Sequence, residues 1–296
     1  MRVFVTGASG FVGRAVVPEL IGAGHTVLGL ARSDANAEAI EAMGAGVHWG
    51  TLQDLDSLRS AAAAADGVVH LAFIHDFSKF AENGQIDKRA IEAMGSALEG
   101  TNKPFIVTSG TGLIAPGRLA TEDDAARSGD AIPRVSEAAA FALTSRGVRA
   151  MAVRLPQVHG GEGKAGFVRL LYDVAREKGV SAYVGDGHDR WAAAHRLDVA
   201  RLYRLALEKG VAGAAYHAIG DEGVPMRDIA EVIGRQLGVP VKSIPLEEAG
   251  AHFGFIAMFA GLDMPASGAL TQQRLGWKPR EIGLLADIGQ PGYFAS

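Results

Sequence analysis

VTGASGFVGRA, residues 5 to 15, decides how this chain is read. Its glycines, Gly7, Gly10 and Gly13, follow a short apolar run, RVFVT (2–6), and open a stretch with helical spacing. A strand that turns at once into a helix leaves free backbone N–H groups and the positive end of the helix dipole at the turn, where a diphosphate is well received. In such a turn Gly7 makes the bend, Gly10 admits the phosphates and Gly13 lets helix and strand pack closely. Ser9, Phe11 and Val12 are read with them as cofactor-binding positions. The competing reading is a tight strand-to-helix turn without a ligand.

The tip of the second strand distinguishes one dinucleotide from another. An acid there bonds a ribose 2′-hydroxyl, whereas an arginine accommodates a 2′-phosphate. The sequence at this point is GLARSD, with Arg32 and Ser33 at the tip and Asp34 one step later. A guanidinium pairs with phosphate and stacks on adenine, so NADP is preferred over NAD. In the alternative, Arg32 is solvated and Asp34 holds the ribose.

From residue 1 to about 155, short β-branched runs alternate with alanine-rich stretches of helical period. Strands are expected at 2–6, 26–31, 46–49, 67–72, 104–109 and 148–155, and helices near 11–23, 35–43, 54–65, 79–100 and 134–146. This alternation predicts an α/β fold of the Rossmann type, a doubly wound parallel sheet with helices on both faces and ligands beyond the carboxyl ends of the strands. After Pro156 the rhythm changes to a helix (164–178), short strands at AYVG and WAAAH, a helix (197–209), a strand at AAYHAI (214–219) and further helices. The expected division is a nucleotide domain over 1–158. Residues 159–296 form a mixed segment, partly returning to that domain and partly making a small substrate lobe.

Composition narrows the function. Of 296 residues, 48% are apolar and 21% charged, ordinary globular usage that argues against disorder. A net charge of −4 with 29 scattered basic residues lacks the footprint of a nucleic-acid binder. With no cysteine, disulfides and thiolate catalysis are excluded, and redox chemistry must come from a cofactor. MRVFVTG enters a strand at once and reads as cytoplasmic rather than as a signal peptide. HFGFIAMFAGL (252–262) falls short of the roughly 20 residues a membrane helix needs and is expected to be a buried helix. No HExxH or comparable ligand spacing occurs, so no metal is expected.

TGASGFVG, with ADGVVHLAF (65–73), IVTSG (106–110), RLPQVHG (154–160) and GDGHDRWAAAHRLDVARLYRLAL (185–207), resembles a short-chain dehydrogenase/reductase of the extended, epimerase/dehydratase-like type over most of the chain. The resemblance implies that Leu71, Ala72 and Phe73 line the nicotinamide side of the cofactor, that Thr108 and Ser109 lie beside the nicotinamide, and that Pro156, Gln157 and Val158 pack near its carboxamide. It also implies a Tyr-x-x-x-Lys pair, in which the lysine lowers the tyrosine pKa and holds the nicotinamide ribose. The chain departs here. Where GDAIPRVSEAAAFAL (129–143) would carry the pair, anchoring on Ser136 gives Pro133 and Glu137, and anchoring on Glu137 gives Gly129 and Pro133. None of the five tyrosines, 172, 183, 203, 216 and 293, has a lysine four residues later. In this it resembles the atypical subgroups that keep the nucleotide site and lack the usual catalytic pair.

A replacement proton donor is sought at the carboxyl ends of strands. His75, beside Asp76, follows the fourth strand, Ser109 the fifth and His159 the sixth, while His195 ends the WAAAH run. An imidazole near pKa 6.5 donates readily at neutral pH, and Ser109 is placed to bond a substrate carbonyl. Other readings stand beside these: a solvated loop for His75 and Asp76, cofactor-side packing for His159, a helix cap for His195, and a bond to the nicotinamide or ribose for Ser109. Arg134, next to Pro133, takes over the ribose-anchoring charge or is a solvated arginine. Trp191, Tyr183, Phe253, Phe255 and Met258 make the lobe apolar and, at helical or strand spacing, read as core rather than pocket. The expectation is an NADP(H)-binding oxidoreductase, monomer or homodimer, acting on a small, fairly apolar carbonyl or alcohol. The alternatives are a nucleotide-sugar epimerase or dehydratase and a non-catalytic NADP(H)-sensing regulator.

Overall fold

The computed structural model describes residues 1–112, 114–126, 135–161 and 165–295. In its first half, strand and helix alternate as the sequence spacing demands. β1 (Arg2–Thr6), β2 (Thr26–Ala31), β3 (Gly46–Trp49), β4 (Gly67–His70), β5 (Pro104–Gly110) and β6 (Arg149–Leu155) are separated by α1 (Gly13–Gly22), α2 (Asp34–Glu41), α3 (Leu55–Ala63), α4 (Phe80–Ser96) and α5 (Ser136–Phe141). Ser33 caps α2 through the Asn36 N–H, and Asp54 caps α3 through the Ser57 N–H, each satisfying an otherwise orphaned donor.

In the second half, β7 (Gln157–His159) leads through α6 (Phe167–Lys178) to β8 (Ser181–Val184) and β9 (Arg190–His195). α7 (Arg196–Lys209), β10 (Ala215–His217), β11 (Asp221–Pro225), α8 (Met226–Leu237) and β12 (Val241–Ile244) follow. The chain ends through α9 (Leu246–Phe253), α10 (Ala257–Ala260), α11 (Ala269–Leu275) and α12 (Leu284–Ile288).

The main sheet is parallel and doubly wound, in the order β10-β6-β5-β4-β1-β2-β3. It has seven strands, one more than the N-terminal alternation accounts for, because β10 comes back from the second half to pair with β6. The return is made by α7, which packs against α1 on one face of the sheet. Side-chain alternation assigns the two faces. Val3 and Val5 join a core with Val16, Leu20, Leu202 and Tyr203, whereas Phe4 between them joins Leu58, Ile91 and Met94 on the opposite face. Burial on both faces is what makes these strands near-continuous apolar runs.

A third core, built on Trp191, Met226, Ile229, Ile233 and Phe253, fills the region of α6, α8 and α9 around two small sheets, β11-β9-β7 and β12-β8. Residues 252–262 do not make the single buried helix expected of them. Gly254, at φ +60°, ends α9, a 3₁₀ turn follows, and α10 is four residues long. The break leaves Met258 58% exposed while Phe253 is buried. No helix among the described residues is long and apolar enough to cross a membrane.

Candidate functional site

The carboxyl ends of β1, β4, β5 and β6 converge on one depression, and the turn after β1 forms its floor. Gly7 has φ +68°, and a Cβ on it would lie 2.8 Å from the Ala72 nitrogen. A Cβ on Gly13 would lie 2.2 Å from the Gly7 carbonyl oxygen. Both glycines are therefore fixed by close backbone approach. Gly10 differs: it is exposed, and an added Cβ would meet only the Gly7 oxygen, at 3.1 Å, within 4 Å. Its open side is the approach that a diphosphate needs. Val12 precedes α1 with no side-chain cap, so the helix start keeps donors for an anion. Ser9 contributes its carbonyl to Arg14 Nε at 2.9 Å, which braces the turn from below. The turn thus fits the dinucleotide diphosphate that the sequence calls for.

At the neighbouring tip, Arg32 is exposed and Ser33 is occupied as the cap of α2. Asp34 is already inside that helix, an acid in its first turn, where it complements the helix dipole.

Beside the turn lies a cavity of about 370 Å³. Of the expected cofactor-binding residues, Phe11, Val12, Leu71 and Phe73 line it on the turn side. Thr108 and Ser109 line it from β5, and Pro156, Gln157 and Val158 from the end of β6. Ala72 is not in the lining; its N–H donates to Thr6 Oγ1 at 3.2 Å behind the wall. Thr108 is committed, donating to the His70 carbonyl at 2.8 Å with the Tyr203 hydroxyl at 2.7 Å. Ser109 makes no side-chain hydrogen bond to the described residues and lines the cavity.

The candidate donors separate. His75 lines the cavity, edge-on to Phe73 with ring centroids 5.5 Å apart. Its neighbour Asp76 is turned to Ser78, whose hydroxyl and backbone hydrogen bonds hold the carboxyl below its usual range. His159 and His195 are not part of the lining. They pack against each other 5.3 Å apart, with His159 Nδ1 on Asp287 at 2.7 Å and His195 Nδ1 accepting the Leu197 N–H as the cap of α7. Burial, then the neighbouring His159, pushes the His195 imidazole below the ordinary histidine value. Arg134 lies outside the described residues.

Sequence reasoning missed much of the far wall. Trp191, expected as core, is fully buried yet lines the cavity, together with Phe167, Phe259 and Met264. Its indole N–H donates to the Phe259 carbonyl at 3.0 Å, which fixes the ring. Glu137, earlier only a register anchor, also lines the cavity and is held by a bidentate pair with the buried Arg154 at 2.9 and 2.5 Å. A glutamate within the apolar run SEAAAF was the signal to look for a buried partner. Behind these residues runs a buried chain from β1 to α5. The Thr6 hydroxyl meets His70 Nδ1 at 2.7 Å, His70 Nε2 meets Asp87 at 2.9 Å, and Ser136 donates to Asp87 at 2.5 Å.

Comparison with known proteins agrees with this geometry. The family model described as "NAD dependent epimerase/dehydratase family" matches residues 3–219. An uncharacterized protein of Schizosaccharomyces pombe is 47% identical over 295 residues, covering 99% of this chain and 100% of its own. A Stigmatella aurantiaca protein, 4-hydroxy-2-methyl-3-oxo-4-farnesyl-3,4-dihydroquinoline-1-oxide ketoreductase, is 26% identical over 270 residues, 86% of this chain and 80% of its own. Among solved structures, a dTDP-glucose 4,6-dehydratase from Streptomyces venezuelae with NAD and TYD bound superposes with TM-score 0.78 at 18% identity, over 99% of this chain and 96% of that one.

Proposed function

The chain belongs to the NAD dependent epimerase/dehydratase family, and on that premise we propose that it is an NADP(H)-dependent oxidoreductase acting on the carbonyl or alcohol of a small, fairly apolar substrate. The observation that carries this reading is the wall of the cavity. Phe73, Phe80, Phe167, Trp191, Phe259 and Met264 surround a space that Ser109 and His75 also line. Among the described lining residues there is no lysine or arginine to meet the diphosphate of a sugar nucleotide, and Glu137 is already paired. Apolar walls with a few convergent polar groups suit a small hydrophobic ligand. The likeness to a protein named as a ketoreductase points the same way.

A nicotinamide dinucleotide held there would supply the hydride for a carbonyl reduction. The chain's own residues do the rest. Backbone amides of the glycine turn would hold the diphosphate, and Arg32 would meet the 2′-phosphate. Ser109 donates a hydrogen bond to the carbonyl oxygen, and His75 or a water beside it delivers the proton that the absent tyrosine would have given. His159 and His195, away from the lining, are assigned no proton transfer.

NADPH and NADH binding by calorimetry, then NADPH oxidation against aldehydes, ketones and quinones, tests the proposal. The expected result is turnover of apolar carbonyls, reduced about a hundredfold in kcat by Ser109→Ala if that hydroxyl serves the developing oxyanion. Tight NADPH binding with no turnover on any carbonyl would replace the enzyme by a nucleotide-sensing regulator. Turnover confined to nucleotide sugars would make it an epimerase or dehydratase.

A further inference from the structure

We infer that Arg196, contributed by α7 from the far side of the glycine turn, is a second cofactor-binding cation that pairs with the diphosphate of the dinucleotide. The inference rests on the reading that this turn holds a dinucleotide, and it adds a residue that lies 183 positions beyond the last glycine of the turn.

Arg196 is the first residue of α7, and its guanidinium carbon lies 5.8 Å from the centre of the Phe11 ring. Phe11 sits inside the turn, between Gly10 and Gly13. The guanidinium makes no hydrogen bond or ion pair with the described residues, and its Nε is buried without a partner. That placement is unfavourable for the protein alone. A cation in the first turn of a helix is opposed by the helix dipole, and a buried guanidinium donor without an acceptor carries its full desolvation cost.

The surrounding backbone nevertheless makes room for it. Gly161 has φ +60°, and a Cβ there would lie 2.1 Å from the Arg196 Cζ, so the loop after β7 passes where only glycine leaves space for the guanidinium. An unpaired planar cation, held beside a turn whose amides suit a diphosphate, lacks only the anion. A dinucleotide supplies it, and the planar fork of arginine matches phosphate oxygens two at a time. Arg32 and Arg196 then divide the work: Arg32 reads the 2′-phosphate and so the choice of cofactor, while Arg196 grips a group shared by NADPH and NADH.

Calorimetry with NADPH, NADH, ADP-ribose and adenosine 2′-monophosphate, on the wild-type chain and on Arg196→Gln, Arg196→Lys and Arg32→Ala, tests the division. Arg196→Gln is expected to weaken NADPH, NADH and ADP-ribose alike by about tenfold or more, and to leave adenosine 2′-monophosphate, which has no diphosphate, unchanged. Arg196→Lys should fall between, keeping the charge and losing the fork. Arg32→Ala should weaken NADPH and adenosine 2′-monophosphate while sparing NADH and ADP-ribose. Thermal melting of the variants checks that they fold, and a smaller salt dependence of ADP-ribose binding in Arg196→Lys than in wild type would count against the inference, since lysine keeps the charge. If wild type binds the dinucleotides and Arg196→Gln binds them equally, Arg196 is a structural cation and only this inference falls. If wild type binds none of them, the reading of the glycine turn falls with it.

Discussion

On the proposed reading, single residues in the turn and at the strand tip carry separable parts of cofactor recognition. Gly13 is fixed by contact, since an added Cβ would stand 2.2 Å from the Gly7 oxygen, inside any van der Waals distance. Gly13→Ala should therefore force helix and strand apart, costing about 1–3 kcal/mol in urea unfolding together with a measurable loss of dinucleotide affinity. An alanine variant with wild-type stability would show that the close approach is not required. Arg32 has no packing role to lose, being exposed at the tip while Ser33 and Asp34 serve α2. Arg32→Ala should narrow the preference for NADPH over NADH by about 1.5–3 kcal/mol, the worth of a hydrogen bond to a charged group, without lowering the melting temperature. Equal wild-type affinity for the two cofactors would end the NADP assignment.

At the scale of elements, the cavity's back wall is held by side chains that join one strand or helix to another. Asp87 on α4 accepts from His70 on β4 and from Ser136 at the start of α5, and the His70 ring continues to Thr6 at the end of β1. Because the carboxylate accepts from Nε2, the ring proton sits there, and Nδ1 takes the Thr6 hydroxyl proton. Asp87→Ala leaves the His70 N–H and the Ser136 hydroxyl without this acceptor in a buried setting, so unfolding free energy should drop by about 2–4 kcal/mol. A loss below about 1 kcal/mol would mean that the chain of bonds is dispensable. This network was not legible in the sequence, and the reason is physical. Periodicity marks Asp87 and His70 only as polar residues within apolar runs, and their partners lie 17 to 64 positions away. The strands were legible because β-branched runs followed by glycine turns state their own boundaries. RVFVT, TVLGLA and GVHW occupy the strands they were expected to form. The far wall of the cavity was not, because Phe167, Trp191, Phe259 and Met264 show the same apolar spacing whether they fill a core or line a pocket.

Across the whole molecule, the seventh strand joins the sheet to the C-terminal region through one histidine. His217 on β10 is fully buried, with Nε2 3.2 Å from the Arg154 guanidinium and Nδ1 2.9 Å from the Ser267 carbonyl. A guanidinium can only donate, so Nε2 accepts, Nδ1–H donates to Ser267, and the ring is neutral. A second proton would set N–H against N–H. Burial is the largest cause of the ring's lowered pKa; Arg154 adds to it, and the Glu122 carboxylate opposes it. His195 and His252 are lowered as well, chiefly by burial, though both are partly exposed and so contribute less. Below the ordinary histidine value of about 6.5 the unfolded chain binds protons that the native chain refuses, so stability is fully present above that value and declines as pH falls beneath it. The carboxylates held low by partners, Asp263 by Arg190 and Asp186 by His188, lose their contribution only below about pH 4, so the two effects occupy separate windows. Urea unfolding at pH 8, 7, 6 and 5 should therefore show a plateau and then a decline, to which His217 contributes once its unfolded form is protonated. His217→Gln should start less stable at pH 8 and decline less steeply between pH 7 and 5, because its amide never takes a proton. A stability curve that is flat or rises between pH 7 and 5, or a Gln variant with the wild-type slope, would remove His217 from this role.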